Sequence, residues 1–109
     1  MPETTAIPTV GDDAFAAEVL ASDGPVLVDF SADWCPPCRM MEPVLADVAA
    51  ARDDVRIVRV DVDRSPLTAS RYGVLSMPTF VLFRDGAPVQ TLVGARPRRR
   101  LERELDEII

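Results

Sequence analysis

The chain has 109 residues, of which 48% are hydrophobic and 28% charged, with a formal net charge of −6. That length suits a single domain over residues 1–109, able to bury about 65% of its unfolded surface without added staples. The acidic balance argues against a nucleic-acid or anionic-membrane binder, and no apolar run approaches the ~18 residues of a spanning helix.

In chain order, Met1-Pro2-Glu3-Thr4-Thr5 carries neither the basic nor the apolar region of a signal peptide, so a cytoplasmic setting is expected. Ile7–Val10 reads as a short first strand that Pro8 confines to a sheet edge. Asp12–Ala21 reads as a helix with Phe15, Val19 and Leu20 on one face and Asp12 and Asp13 in its first turn. Gly24-Pro25 breaks the chain. Val26–Phe30 is an almost unbroken apolar run, the pattern of a strand buried on both faces, with Asp29 inside it.

A Cys-Pro-Pro-Cys segment comes next, at residues 35–38, opening a helical pattern with Met41, Val44, Leu45, Val48 and Ala49 inward. Pro43 lies within that helix and should kink it. A residue before proline avoids helical geometry, so the helix is expected to begin near Pro37. Val55–Val62 alternates as a strand, and Ser65-Pro66 to Gly73 delimits a short helix. Thr79–Phe83 and Val89–Val93 flank an Asp85-Gly86 hairpin turn. Leu101, Leu105 and Ile108 form the stripe of a last helix. The order β-α-β-α-β-α-β-β-α predicts an α/β fold whose mixed sheet carries helices on both faces.

Cys35 and Cys38 are the only cysteines. Two thiols at this spacing, at a helix start, form a reversible dithiol/disulfide pair. The helix start favours the thiolate, the attacking species in thiol exchange. Pro36 and Pro37 have no N–H, so the first backbone donor in reach of the Cys35 sulfur is that of Cys38. A zinc site needs four ligands, and two cysteines with no histidine anywhere exclude one within this chain. A carboxyl inside a buried strand, as at Asp29, should have a raised pKa. All 12 basic residues are arginine. The run Arg96, Arg98, Arg99, Arg100 and Arg103 reads as a solvated helix face, with arginines first and acids last, against the helix dipole.

Several stretches together resemble the thioredoxin family over almost the whole chain. They are Val28-Asp29-Phe30, Ala32-Asp33-Trp34-Cys35, Cys38-Arg39-Met40, Val60-Asp61-Val62-Asp63, Tyr72-Gly73-Val74, Met77-Pro78-Thr79-Phe80, Phe83-Arg84-Asp85-Gly86 and Val93-Gly94-Ala95. The chain departs from the family at Pro36, where glycine is usual, at Ser31, where tryptophan is frequent, and at Arg59, where lysine is usual.

The resemblance implies a thioredoxin fold, with a central mixed sheet of about five strands and four flanking helices. It implies a thiol–disulfide oxidoreductase that reduces protein disulfides. In that role the exposed Cys35 attacks, the deeper Cys38 resolves the mixed disulfide, and Asp29 helps Cys38 lose its proton, with Arg59 as the matching cation. Pro78 matches a cis-proline beside the disulfide, exposing the Met77 backbone. Trp34, Val74, Met77, Pro78, Gly94 and Ala95 would form the substrate surface. No cofactor would be bound; electrons would come from NADPH through a flavoprotein thioredoxin reductase, and the protein would act as a monomer on disulfide-containing proteins. Two other readings keep the cysteines: a disulfide oxidant or isomerase, and a thioredoxin-fold binding module or chaperone-like subunit.

Overall fold

The computed structural model describes residues 7–109. Its axis is β1 (Val26–Ser31), whose six residues are all buried, as the apolar run predicts. β1 pairs in parallel with β2 (Arg56–Asp61) and antiparallel with β3 (Thr79–Arg84), which in turn pairs antiparallel with β4 (Ala87–Val93). The sheet order is β2-β1-β3-β4.

The sheet therefore has four strands, where about five were expected. The missing one is Ile7–Val10, which is reduced to a single bridge between Thr9 and Arg59 at the outer edge of β2. The Arg59 N–H donates to the Pro8 carbonyl at 2.8 Å, and the Val10 N–H donates to the Arg59 carbonyl at 2.8 Å. The next bond of a parallel ladder would need the N–H of residue 8, which proline lacks.

Side-chain alternation along the strands divides the core into two layers. Val26, Val28, Phe30, Val58, Val60, Val81 and Phe83 pack on Phe15, Val19 and Ala69. Leu27, Ile57, Phe80 and Leu82 pack on Met41, Leu45 and Val48 of α1 (Pro36–Ala51) and on Leu101 and Leu105 of α3 (Arg98–Ile108). Asp29 is two residues from Leu27 and so faces α1 and α3.

The first helix is shorter than expected, a π-helical turn over Ala16–Leu20. Asp12 does not serve that helix. Its carboxylate instead accepts from the N–H groups of Leu67 (3.3 Å) and Thr68 (2.8 Å) and from Thr68 Oγ1 (2.6 Å). It thereby caps α2 (Pro66–Arg71), whose own N-cap residue, Ser65, makes no side-chain cap bond. These bonds, that from the Thr68 hydroxyl foremost, hold the Asp12 carboxyl below its ordinary pKa.

α1 begins at Pro36, one residue earlier than expected, with Cys35 extended at φ −94°, ψ 107° as its N-cap. The first helical positions have N–H groups without intrahelical partners, so two prolines cost nothing there. Asp85 (φ 53°) and Gly86 (φ 80°) make the hairpin turn, both in the left-handed region that a type I′ turn demands. β4 begins at Ala87, and Val89 is the extra residue of a bulge between Pro88, opposite Phe83, and Gln90, opposite Leu82.

The reversed charge order of α3 has a tertiary cause. Arg52, at the end of α1, donates to Asp106 at 2.8 Å and to the Glu102 carbonyl at 3.3 Å. Arg84 donates to the carbonyl of Ile108 at 2.6 Å. Arginines from other elements thus serve the acidic end of the helix, in place of basic residues in its own last turn.

Candidate active site

Cys35 and Cys38 form a disulfide across the first turn of α1, with their Cα atoms 5.3 Å apart. The Cys38 N–H points at the Cys35 Sγ at 3.3 Å, the N-cap contact that the two prolines leave available. The expected contrast in exposure is absent, because Cys35 is 4% exposed and Cys38 3%. Ala32 is buried with the pair, and Val62 and Met77 pack against it, which closes the Cys35 side as well. What distinguishes the two is position: Cys35 is the capping residue, whereas Cys38 lies inside the helix.

Around the pair, the Met77 carbonyl oxygen lies 3.7 Å from the Cys35 Sγ. The Met77–Pro78 peptide is cis. Pro78 is buried, and its carbonyl accepts from the Gly94 N–H at 2.8 Å, which draws the end of β4 to the same place. Ala95 follows, exposed. Trp34 is 64% exposed, with its indole N–H donating to Asp63 at 2.8 Å. Val74 behaves differently from the other surface candidates. It is half-buried and packs on the Phe15–Phe83 layer, and its neighbour Leu75, 96% exposed, is the side chain presented to solvent. Met40 is a second exposed apolar residue, at 70%, on the turn that follows Cys38.

Asp29 is 2% exposed, and its Oδ1 has no hydrogen-bond partner among the described residues. Burial raises its pKa to about 7, against the opposing charge of Arg59, with a smaller upward contribution from Glu42. Glu42 is one helical turn beyond Cys38, so its influence ties Asp29 electrostatically to the cysteine-bearing end of α1.

Arg59 is the direct neighbour of Asp29 in the β1–β2 register but makes no hydrogen bond to it. Its guanidinium donates to Ser31 Oγ and, at 2.9 Å, to Asp33. That bond from Arg59 is the main reason the Asp33 carboxyl lies below its ordinary range. Arg59 therefore lowers Asp29 by its field alone, and burial outweighs that field.

Sequence reasoning did not single out Asp63, Asp33, Met40 or Leu75 as site residues. Asp63 is 29 residues from Trp34 and Asp33 is 26 from Arg59, so no local spacing signals either pairing. Among the described residues no group of three or more His, Cys, Asp or Glu side chains is arranged to hold a metal ion.

Comparison with known proteins agrees with this geometry. The family model described as Thioredoxin matches residues 6–107. A thioredoxin of Mycolicibacterium smegmatis is 48% identical over 112 residues, covering 100% of both chains. A thioredoxin of Streptomyces clavuligerus is 46% identical over 94 residues, 86% of this chain and 88% of that one. A bifunctional thioredoxin reductase/thioredoxin of Mycobacterium leprae is 44% identical over 101 residues, 92% of this chain but 22% of that longer protein. With a disulfide closed over the first turn of a helix that a mixed sheet supports, this chain belongs to the thioredoxin family, as a protein-disulfide oxidoreductase working by dithiol–disulfide exchange.

Proposed function

We propose that the protein reduces disulfides of other proteins, with Cys35 as nucleophile and Cys38 as resolving thiol. The observation that carries this assignment is the N-cap position of Cys35, whose sulfur receives the Cys38 N–H at 3.3 Å. That contact stabilises negative charge on Cys35 in the reduced state. The Cys35 thiolate attacks a substrate S–S bond, forms a mixed disulfide and releases one substrate thiolate, which takes up a proton. Cys38 then loses its proton with the help of Asp29 and attacks the Cys35 sulfur. The mixed disulfide breaks, the second substrate thiol leaves, and the Cys35–Cys38 disulfide forms. Two electrons have passed to the substrate.

Asp29 suits the proton transfer because its pKa of about 7 leaves both forms populated near neutrality. Trp34, Met77, Pro78, Gly94 and Ala95 would form the receiving surface. Met77, half-buried with its carbonyl beside the Cys35 sulfur, would offer its backbone to an extended substrate segment, and the exposed Leu75 would add an apolar contact beside Val74. The chain would hold no cofactor of its own. Regeneration would draw on NADPH through a flavoprotein reductase, a link supported by the M. leprae protein that joins thioredoxin reductase and thioredoxin in one chain. We read the chain as a single-domain cytoplasmic monomer.

Limiting iodoacetamide, applied to the reduced protein near neutral pH, should alkylate Cys35 before Cys38, as peptide mapping would reveal. Preferential labelling of Cys38 would reverse the two roles.

The reductive direction rests on the stability of the disulfide, and Pro36 is the residue expected to tune it. It restricts its own φ and keeps Cys35 extended, so it limits how the sulfurs relax when the bond opens. Its side chain is exposed and supplies no core contact. Pro36→Gly should shift the reduction potential by about 30 mV, equivalent to ~1.4 kcal/mol for this two-electron couple, with thermal unfolding nearly unchanged. Equal potentials in one glutathione buffer, or a large loss of fold stability, would remove Pro36 as a tuner.

A further inference from the structure

Arg96 belongs to the arginine run that reads as a solvated helix face, yet it is only 6% exposed. Its Nη1 donates to both carboxylate oxygens of Glu104 on α3, at 2.8 and 2.7 Å. Its Nη2 donates to the Val93 carbonyl at 2.7 Å, and its Nε to the Gly94 carbonyl at 3.1 Å. Its backbone N–H meets the Met41 sulfur at 3.4 Å.

Both carbonyls belong to the bend that leaves β4, where Gly94 adopts φ +96°. The Gly94 N–H holds the Pro78 carbonyl at 2.8 Å, and the residue before Pro78 puts its own carbonyl 3.7 Å from the Cys35 sulfur. One guanidinium thus clamps the bend to α3, and the bend is bonded to the segment that lies against the disulfide.

A buried ion pair is weak evidence for stability, since apolar residues of the same volume would do as well. What apolar residues cannot do is fix the direction of two loop carbonyls. The planar fork of arginine can hold a carboxylate and both carbonyls at once, whereas a lysine ammonium has no fixed fork.

We propose that Arg96, anchored by Glu104, is a positioning residue that sets the shape of the Val93–Ala95 bend for a protein substrate. This rests on the reading that Gly94 and Ala95 meet the substrate. Arg96 touches no reacting atom, so a small disulfide, which needs little beyond the cysteines, should not register its loss.

The test uses the fully reduced protein in single turnovers, with insulin as the protein disulfide and bis(2-hydroxyethyl) disulfide as the small one. Arg96→Met should raise the half-saturating insulin concentration about tenfold, the scale of a lost charged hydrogen bond, with the limiting rate little changed. The rate with the small disulfide should stay within about twofold. Arg96→Lys should recover only part of the insulin affinity. Glu104→Gln, which keeps the guanidinium and both carbonyl contacts, should show a smaller rise and serves as the test if Arg96→Met does not fold. Folded variants with unchanged insulin saturation, or with equal losses on both disulfides, would overturn the proposal. Ala95→Glu separates the two readings, because it alters the surface without touching the Arg96 contacts. If it weakens insulin binding while the Arg96 variants do not, the surface reading stands and the role of Arg96 falls. If it leaves insulin saturation unchanged, the surface reading itself fails.

Discussion

Cys35→Ser is expected to lose turnover of protein disulfides by at least about 10³-fold, because a serine hydroxyl at neutral pH is neither ionised nor a comparable nucleophile. Cys38→Ser should lose turnover as well, but at a different step. Its Cys35 can still attack, so the variant should accumulate a mixed disulfide with the substrate that only added thiol releases. Intact-mass measurement after mixing each reduced variant with excess insulin separates the cases: adduct for Cys38→Ser, none for Cys35→Ser. Turnover retained by Cys35→Ser, or adduct formed by that variant rather than by Cys38→Ser, would contradict the assignment. A protein that acted through contact alone would keep its function in both variants, so the same pair of substitutions decides between catalyst and binding module.

The second large effect is on stability, and it comes from Asp29. The unfolded chain releases this proton near the ordinary 3.8, while the folded protein holds it until about 7. Between those values the folded state binds more protons, so raising the pH favours unfolding. The stability that the protonated carboxyl preserves is complete below about 3.8, declines across the interval and is gone above about 7. At about 1.36 kcal/mol per pH unit, the loss amounts to roughly 4 kcal/mol at pH 8.

Asp29→Ala removes the buried charge. It should therefore raise stability at pH 8 by a few kcal/mol, offset in part by the small cavity it leaves, and should change little near pH 4. Urea unfolding of the oxidised proteins at both pH values is the measurement. Asp33 and Asp54, both held low chiefly by hydrogen bonds from arginines, act in the opposite sense and only in acid, where their stabilisation disappears as they protonate.

A second substitution at this position tests mechanism. On the proposed role of Asp29 as general base, Asp29→Asn should slow the Cys38 step at pH 7 by about 10²-fold, so that the mixed disulfide persists. Equal stability of Asp29→Ala and the native protein at pH 8 would mean that the carboxyl is not buried and charged there. Unchanged resolution of the mixed disulfide in Asp29→Asn would take Asp29 out of the chemistry.

Local pattern determined much of this protein. The apolar run Val26–Phe30 could satisfy its side chains only as a strand covered on both faces, and all of β1 is buried. Cys35-Pro36-Pro37-Cys38 left one backbone N–H within reach of the first sulfur, and that bond forms at 3.3 Å. Asp85-Gly86 set a two-residue turn because glycine, and aspartate to a lesser degree, tolerates positive φ. These outcomes depend on residues a few positions apart, so the chain itself holds the information.

Tertiary structure decided the rest, wherever a polar group met a partner remote in sequence. Asp12 reads as the start of its own helix, but its carboxylate serves α2, 55 and 56 residues away, where N–H groups otherwise lacked a partner. Pro8 signals an edge strand, yet only the geometry beside β2 reduces that strand to one bridge. The resemblance makes Arg59 the cation that matches Asp29, but its guanidinium bonds Ser31 and Asp33 and reaches the acid by its field alone, which leaves burial to govern Asp29. Arg96 reads as solvated because its neighbours are charged, but the end of β4 and α3 close around it and supply the acceptors that its burial requires. Periodicity reports which face of an element is apolar. It does not report which distant carbonyl or carboxylate completes a polar group once that group is enclosed, and on that pairing the charge, shape and proton affinity of this site depend.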